Sequence, residues 1–112
     1  MYTVRVSRSF SAAHFIRGSD RCERVHGHNY RVEVAISSAE LAPPGMVADF
    51  VDVGKKLDEI LPDHRSLNDC YGFSPTAENL ARHFFEEMSK HYPVSRVSVW
   101  ENDDSRADYT PG

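Results

Sequence analysis

The sequence has few cysteines, no excess of positive charge and no long apolar run. Its two cysteines, Cys22 and Cys70, do not make the disulfide framework of a small secreted protein. Thirteen Lys and Arg against 17 Asp and Glu give a net charge of −4, which provides no general attraction to nucleic acid or to an anionic membrane. No apolar run approaches the roughly 20 residues that cross a bilayer, and the N-terminus lacks the pattern of a signal peptide. These absences favour a soluble cytoplasmic protein.

The composition that remains is that of an ordinary globular chain. Hydrophobic residues make up 40% and charged residues 27% of the 112 positions, unlike the composition of disordered or fibrous proteins. A chain of this length is typical of one domain with a modest core. We therefore expect residues 1–112 to form a single domain.

Alternating polar and apolar positions predict two strands near the N-terminus. From Tyr2 to His14 most even positions are apolar, and most odd positions are Thr, Arg or Ser. Residues 26–36 repeat this period of two. The polar segment 17–24 between them contains a glycine and predicts a loop of the kind that carries function.

Prolines mark the elements in the middle of the chain. Residues 46–50 favour a short third strand, and apolar residues recur at helical spacing from Val53 until Pro62 ends the helix. A second helix begins at the Ser-Pro-Thr start signal of residues 74–76 and ends before Pro93.

The C-terminal part completes a predicted α+β fold. Residues 94–101 form a last alternating strand, whereas the polar tail 102–112 is expected to be irregular. The order of elements predicts a four-stranded antiparallel sheet with two helices. Such a small sheet leaves edges to be covered, and oligomerisation is one common way to cover them.

Three histidines share the apolar parity of the two N-terminal strands. His26 and His28 are two residues apart, so their side chains point to one face of the strand. His14 has the matching parity on the first strand, and pairing of the strands would bring the three imidazoles together. Burying them without partners would be costly, whereas neutral imidazole is a good zinc ligand. The pattern therefore predicts a zinc site.

The role of Cys22 is left open by the spacing. Three histidine ligands would leave a fourth tetrahedral position vacant, as in catalytic zinc sites. Cys22 lies only four residues before His26, however, and this spacing would also permit a closed Cys-His-His-His structural site. Cys70 lacks neighbouring histidines and is interpreted as incidental.

Two adjacent residues suit proton transfer. Asp63 and His64 directly follow the end of the first helix, and an aspartate can orient a neighbouring histidine for general acid or base work. Such a pair in a loop is more often two solvated polar residues. His83 and His91, on or near the second helix, are interpreted as surface residues.

A carboxylate at the end of the last strand has two readings. Glu101 has the parity of Val97 and Val99, so it either reaches solvent or accepts hydrogen bonds from a ligand with adjacent N–H donors. Thr76 and Glu78, at the start of the second helix, are typical of helix capping.

Five motifs in this order resemble the 6-pyruvoyltetrahydropterin synthase family. They are FSAAH, CxxxHGHNY, DH followed by LN, PTAEN and the VxVWE ending, and they extend from Phe10 to Glu101. The three-residue gap between Cys22 and His26 is similar to that of the 6-carboxytetrahydropterin synthase branch, which feeds queuosine and other deazapurine biosynthesis. The pyruvoyl branch usually has a longer gap.

The resemblance implies a tunnelling fold. Antiparallel sheets from three subunits join into a barrel, and two such rings stack into a homohexamer. It also implies the following roles: Zn²⁺ ligands His14, His26 and His28; catalytic thiol Cys22; proton relay Asp63 and His64; pterin anchor Glu101, helped by Thr76 and Glu78.

The substrate implied by the resemblance is 7,8-dihydroneopterin triphosphate. The carboxy branch converts it to 6-carboxy-5,6,7,8-tetrahydropterin and releases triphosphate and acetaldehyde. The alternatives are a pyruvoyl-type synthase or related pterin paralogue that stops after triphosphate elimination, and a non-catalytic zinc-stabilised oligomeric module. Three residues depart from the family pattern, namely Pro62, Arg65 and Ala77. We name Arg17 and Arg24 as candidates for holding the triphosphate.

Overall fold

The computed structural model describes residues 1–19 and 22–112. Asp20 and Arg21, in the predicted loop between the first two strands, lie outside the described residues. The elements are β1 (Tyr2–His14), β2 (His26–Ser38), α1 (Phe50–Ile60), β3 (Arg65–Ser66), α2 (Leu67–Cys70), α3 (Ala77–Ser89), β4 (Val94–Asn102) and β5 (Ser105–Tyr109). No helix in these ranges is long and apolar enough to cross a membrane.

One sheet organises the chain, with the strand order β3-β1-β2-β4-β5. The long strands pair antiparallel, and only the two-residue β3 runs parallel to β1. The predicted α+β class with an antiparallel sheet is confirmed, although the sheet has five strands rather than four and the four-residue α2 adds a third helix to the two predicted. The β1–β2 register places His14 opposite His26 and Phe10 opposite Tyr30.

Two predictions about short segments were wrong. Residues 46–50 do not form a strand: Met46 makes a single bridge to Ala42, and Phe50 begins α1. The reason is the Asp49 side chain, which accepts from the Val51 N–H at 2.8 Å and caps the helix at this point.

The tail predicted to be irregular forms β5 after a tight turn. Its Ala107 pairs with Val99 and its Tyr109 with Val97. Both side chains pack against the core, so the alternate apolar positions of a mostly polar segment are enough to fix a strand.

The hydrophobic core lies between one face of the sheet and the helices α1 and α3. Even positions of β1 and β2 meet odd positions of β4 on this face, as the predicted parity requires. The buried residues include Val6, Phe10, Tyr30, Val32, Val34, Ile36, Leu57, Leu80, Phe84, Met88, Val97 and Val99. The three histidines have the parity of this buried face.

The opposite face of the sheet is mostly polar, since in the described ranges the helices α1 and α3 pack on the core side. Glu33 in β2 lies at its centre, with a side chain that is only 17% exposed. Three arginines from three strands surround this carboxylate: Arg5 at 3.5 Å, Arg31 at 3.8 Å and Arg96 at 3.3 Å. This charge cluster ties β1, β2 and β4 together across the sheet.

Candidate metal centre and neighbouring grooves

The rings of the three histidines meet at one end of β1 and β2. Their centroids are 4.6 Å apart for His14 and His26, 5.0 Å for His14 and His28, and 4.9 Å for His26 and His28. One ring nitrogen from each residue lies within 4.8 Å of the others, a spacing that could hold one metal ion. The structure brings the three predicted ligands together, and metal binding itself remains a prediction.

Hydrogen bonds to carbonyls orient two of the rings. His14 Nδ1 is 2.8 Å from the Pro75 carbonyl oxygen, and His26 Nδ1 is 2.7 Å from the Arg24 carbonyl oxygen. Because a carbonyl can only accept, each Nδ1 carries the hydrogen and each Nε2 is left with a lone pair. A backbone carbonyl on the far nitrogen is the usual support of a metal-binding histidine.

The Nε2 atom of His14 is the strongest sign that the site takes an ion. His14 is 1% exposed, and among the described residues its Nε2 is the one buried side-chain nitrogen or oxygen without a hydrogen-bond partner. A buried polar atom left unpaired is costly. An all-imidazole donor set fits zinc or another first-row divalent ion, which would satisfy this atom.

The surroundings keep the third imidazole in its metal-binding form. Burial lowers the pKa of His28, and the neighbouring His14 and His26 rings lower it further. Glu101 opposes this effect, since its Oε2 lies 4.0 Å from His28 Nε2. The lowered pKa favours neutral imidazole, the form that binds metals.

Glu101 joins the metal centre to a groove. This groove has a volume of about 370 Å³ and is lined by Ala77, Glu78, Glu101, Ser105, Arg106, Ala107 and Asp108. Two of the three predicted pterin-binding residues, Glu78 and Glu101, therefore share one groove. The third, Thr76, caps α3 next to it, and its Oγ1 accepts from the Asn79 N–H at 3.1 Å.

Sequence reasoning missed the wall of the groove that β5 supplies. Arg106 and Asp108 lie in the tail that was predicted to be irregular. The apolar alternation of Ala107 and Tyr109 was the signal that could have placed them on a strand.

Cys22 is not a member of the three-histidine cluster. It is half-buried in the connection that leads to β2, where its N–H donates to the Ser19 carbonyl at 3.0 Å. Its free thiol stands apart from the ligand atoms, which favours the open three-histidine arrangement over the closed four-ligand site.

Asp63 and His64 are held at the edge of β1. Asp63 Oδ1 accepts from the Ser11 N–H at 2.9 Å, and its Oδ2 lies 3.0 Å from His64 Nδ1. The hydrogen bond from Ser11 lowers the pKa of Asp63, and the bond from His64 adds to this effect. His64 has a φ of 57°, a left-handed conformation that is unusual outside glycine.

The pair lies beside a second groove, which one of the predicted ligands also lines. His64 borders a groove of about 540 Å³ that is lined mainly by odd positions of the two strands, including Ser11, Gly27 and Asn29, and also by the predicted ligand His28. The three histidines have the opposite parity. Of the three predicted ligands only His28 lines this groove, and within the described chain His64 is not part of the three-histidine cluster.

The remaining polar predictions have mixed outcomes. His83 is only partly exposed, because its half-buried ring packs against Tyr71 at 4.7 Å and Phe73 at 5.4 Å. His91 is exposed, as predicted. Of the three departures from the family pattern, Pro62 is buried, Arg65 lies in β3, and Ala77 lines the groove beside Glu101.

Comparison with known proteins identifies the family. The sequence profile described as 6-pyruvoyl tetrahydropterin synthase matches residues 3–112. The chain belongs to this family. The family resemblance drawn from the five motifs is thus confirmed.

Relatives of this family member carry two kinds of name. A protein of Archaeoglobus fulgidus, provisionally named 6-carboxy-5,6,7,8-tetrahydropterin synthase, is 43% identical over 108 residues, which cover 94% of this chain and 92% of the relative. A Poecilia reticulata protein named 6-pyruvoyl tetrahydrobiopterin synthase is 34% identical, covering 91% and 84%. These names support an enzyme that processes pterins.

A solved structure confirms the tunnelling fold. The 6-pyruvoyl tetrahydropterin synthase of Caenorhabditis elegans superposes with a TM-score of 0.86 at 28% identity, and the match covers 99% of this chain and 96% of that one.

Proposed function

We propose that the protein is a zinc-dependent lyase that converts 7,8-dihydroneopterin triphosphate to 6-carboxy-5,6,7,8-tetrahydropterin, with release of triphosphate and acetaldehyde. The observation that carries this proposal is the three-histidine cluster, in which a buried Nε2 lacks a partner beside a groove that contains Glu101. Similarity over most of the chain to the A. fulgidus protein supports the carboxy product.

His14, His26 and His28 would hold the zinc. Three protein ligands leave a coordination position for the substrate. When bound, the ion supplies a Lewis acid that stabilises negative charge on oxygen atoms of the pterin side chain.

Glu101 would fix the heterocycle. Its two carboxylate oxygens can accept together from the 2-amino group and the adjacent ring N–H of a pterin. With Oε2 at 4.0 Å from His28, this contact would set the position of the pterin side chain relative to the histidines.

Cys22 and His64 would move the protons. As a thiolate, Cys22 can take a proton from the carbon side chain, and His64, oriented by Asp63, can deliver or accept the second one. Elimination of triphosphate is followed by cleavage of the side chain. The carboxylate left on the ring-side carbon needs one oxygen atom, which water supplies, and the other two carbons leave as acetaldehyde.

The exposure of the relay histidine and the unpaired edges of the sheet support an oligomer. His64 is 81% exposed and is not part of the three-histidine cluster of its own chain, so we expect it to serve the metal centre of a neighbouring chain. Outside its two β3 pairs, β1 has no partner along its outer edge in the described part of the chain, and β5 pairs only with β4. These edges could join into the barrel of a homohexamer, a dimer of trimers. Service to queuosine synthesis and a cytoplasmic location remain predictions.

The second candidate function is 6-pyruvoyltetrahydropterin synthesis, which the high structural similarity to the C. elegans protein favours. The purified enzyme should be incubated with dihydroneopterin triphosphate and the products analysed by mass spectrometry. We expect acetaldehyde and the 6-carboxy product. Accumulation of a 6-pyruvoyl product without acetaldehyde would refute the carboxy assignment.

Cys22→Ala tests whether the site is catalytic or structural. Because the thiol lies outside the ligand cluster, we expect zinc content to stay near one ion per chain while turnover falls by at least about a hundredfold. Metal analysis, circular dichroism and a turnover assay measure the three quantities. Cys70→Ala is the matched control and should keep both zinc and turnover. Loss of zinc and of the fold in Cys22→Ala would favour the non-catalytic zinc module.

A further inference from the structure

Tyr30 occupies the space behind the three histidines. It is fully buried, and its ring contacts two of the candidate ligands edge-on, His14 at 5.8 Å and His28 at 5.4 Å between centroids. The ring is also stacked on Phe10 at 4.9 Å with an interplanar angle of 8°. Phe10 in turn meets Phe84 of α3 edge-to-face at 6.0 Å, so an aromatic column links the helix layer to the histidines.

The Tyr30 hydroxyl lies next to the Nδ1 atom of His14, whose hydrogen bonds set the orientation of the ring. Tyr30 Oη lies 3.1 Å from His14 Nδ1, and the Pro75 carbonyl oxygen lies 2.8 Å from the same atom. Since the carbonyl can only accept, the Nδ1 hydrogen points toward these two oxygens. The bare Nε2 is thereby directed toward His26 and His28.

Packing alone does not require this hydroxyl. A phenylalanine would fill the same volume against Phe10 without bringing a polar atom into the core, where a hydroxyl without a partner is costly. The partner that the structure gives Tyr30 Oη is His14 Nδ1. The contact that accounts for this hydroxyl is therefore the one that orients the His14 imidazole.

We infer that Tyr30 is a positioning residue, which together with the Pro75 carbonyl fixes the plane and the tautomer of His14 so that its Nε2 faces the metal. The inference rests on the proposed metal centre and deepens it. Tyr30 touches neither substrate nor metal in this role and acts through His14.

Tyr30→Phe tests the inference, with Tyr71→Phe as the matched control. Both changes remove one hydroxyl from a half-buried or buried tyrosine, but Tyr71 packs on Phe73 and His83 rather than on the rings of the candidate ligands. Metal-free protein is titrated with Co²⁺, and Zn²⁺ affinity is measured by competition. We expect Tyr30→Phe to bind both ions about tenfold more weakly and to show an altered Co²⁺ absorption spectrum, with Tyr71→Phe unchanged.

A third variant separates failure of this inference from failure of the metal centre. His14→Ala should lose Co²⁺ binding far more than Tyr30→Phe does. If His14→Ala fails to bind while Tyr30→Phe keeps the affinity and spectrum of the unaltered protein, the role of Tyr30 is overturned and the metal centre stands. If His14→Ala binds Co²⁺ normally, the metal centre itself is refuted, and the role of Tyr30 with it.

Nuclear magnetic resonance of the unaltered, metal-free protein decides the case if Tyr30→Phe does not fold. An Nδ1–H resonance of His14 with a nuclear Overhauser contact to the Tyr30 ring supports the inference. The Nε2–H tautomer overturns it.

Discussion

Asp63 shows how a single exposed carboxylate can be committed to its charged form. The Ser11 N–H holds one oxygen and His64 lies against the other, and both interactions lower the pKa of Asp63. A carboxylate whose pKa is lower in the folded state stabilises that state above its unfolded pKa, near 3.8, and loses this contribution as the pH falls through the folded value.

Asp63→Asn should therefore change the acid dependence of stability. We expect the variant to be less stable than the unaltered protein near neutral pH, and the difference to shrink as the pH falls below about 3.8. Urea denaturation at several pH values measures it. Asp104→Asn, in the exposed turn between β4 and β5, is the control. A difference that stays constant with pH would contradict the proposed role of the charge.

At the scale of the elements, α1 packs against β1 through a close contact between Gly54 and Arg8. Gly54 is buried on α1, and the guanidinium of Arg8 crosses directly over it to reach Asp58, with Nε 3.1 Å from the carboxylate. A Cβ at position 54 would overlap that guanidinium. Glycine is thus retained inside a helix, where alanine would be favoured by about 1 kcal/mol, because the arginine occupies the space.

A double-mutant cycle on Arg8 and Gly54 tests whether the two residues are coupled in this contact. In the Arg8→Ala background, Gly54→Ala should raise the free energy of unfolding by about 1 kcal/mol, since helix propensity acts unopposed. In the unaltered protein the gain should be smaller, because the new methyl group displaces Arg8 from Asp58. Denaturant unfolding supplies the four values. Equal gains in both backgrounds would show that the two residues are uncoupled.

Periodicity predicted the long elements because each has one face buried in the core and one face exposed to solvent. The strands β1 and β2 and the helix α3 follow their patterns, whereas β3 and α2 are too short to show one. The prediction of a strand at residues 46–50 was wrong because apolar side chains such as Val47 can also pack against the core from a turn. Whether a polar segment like β5 becomes a strand depends on a neighbour that is distant in sequence.

The candidate site was predictable where it depends on parity. His14, His26 and His28 share a face in both the sequence pattern and the structure. The supports of these rings were not predictable, since the Pro75 carbonyl is 61 residues away from His14 along the chain. The separation of His64 from the cluster follows from the edge position of β3, which no local pattern encodes.

At the scale of the whole molecule, two inactive variants should restore each other. We expect Cys22→Ala and His64→Ala to be inactive separately. If each site takes Cys22 from one chain and His64 from another, about a quarter of the sites in a co-expressed equal mixture contain both residues. Activity of the mixture near that fraction supports a shared site. A mixture without activity, or a mass in solution equal to the 12.7 kDa of one chain, would argue for sites within single chains.

In the charge cluster on the sheet face opposite the helices, loss of one arginine should destabilise the protein less than loss of the glutamate. Each of Arg5, Arg31 and Arg96 depends on the one carboxylate of Glu33, but that carboxylate depends on none of them singly. Replacing one arginine by methionine leaves two counterions in place and should cost less than about 1 kcal/mol of unfolding free energy. Glu33→Gln instead leaves three positive charges side by side without a counterion. The decrease in unfolding free energy, measured by urea denaturation, should therefore be larger for Glu33→Gln than for replacement of any one arginine.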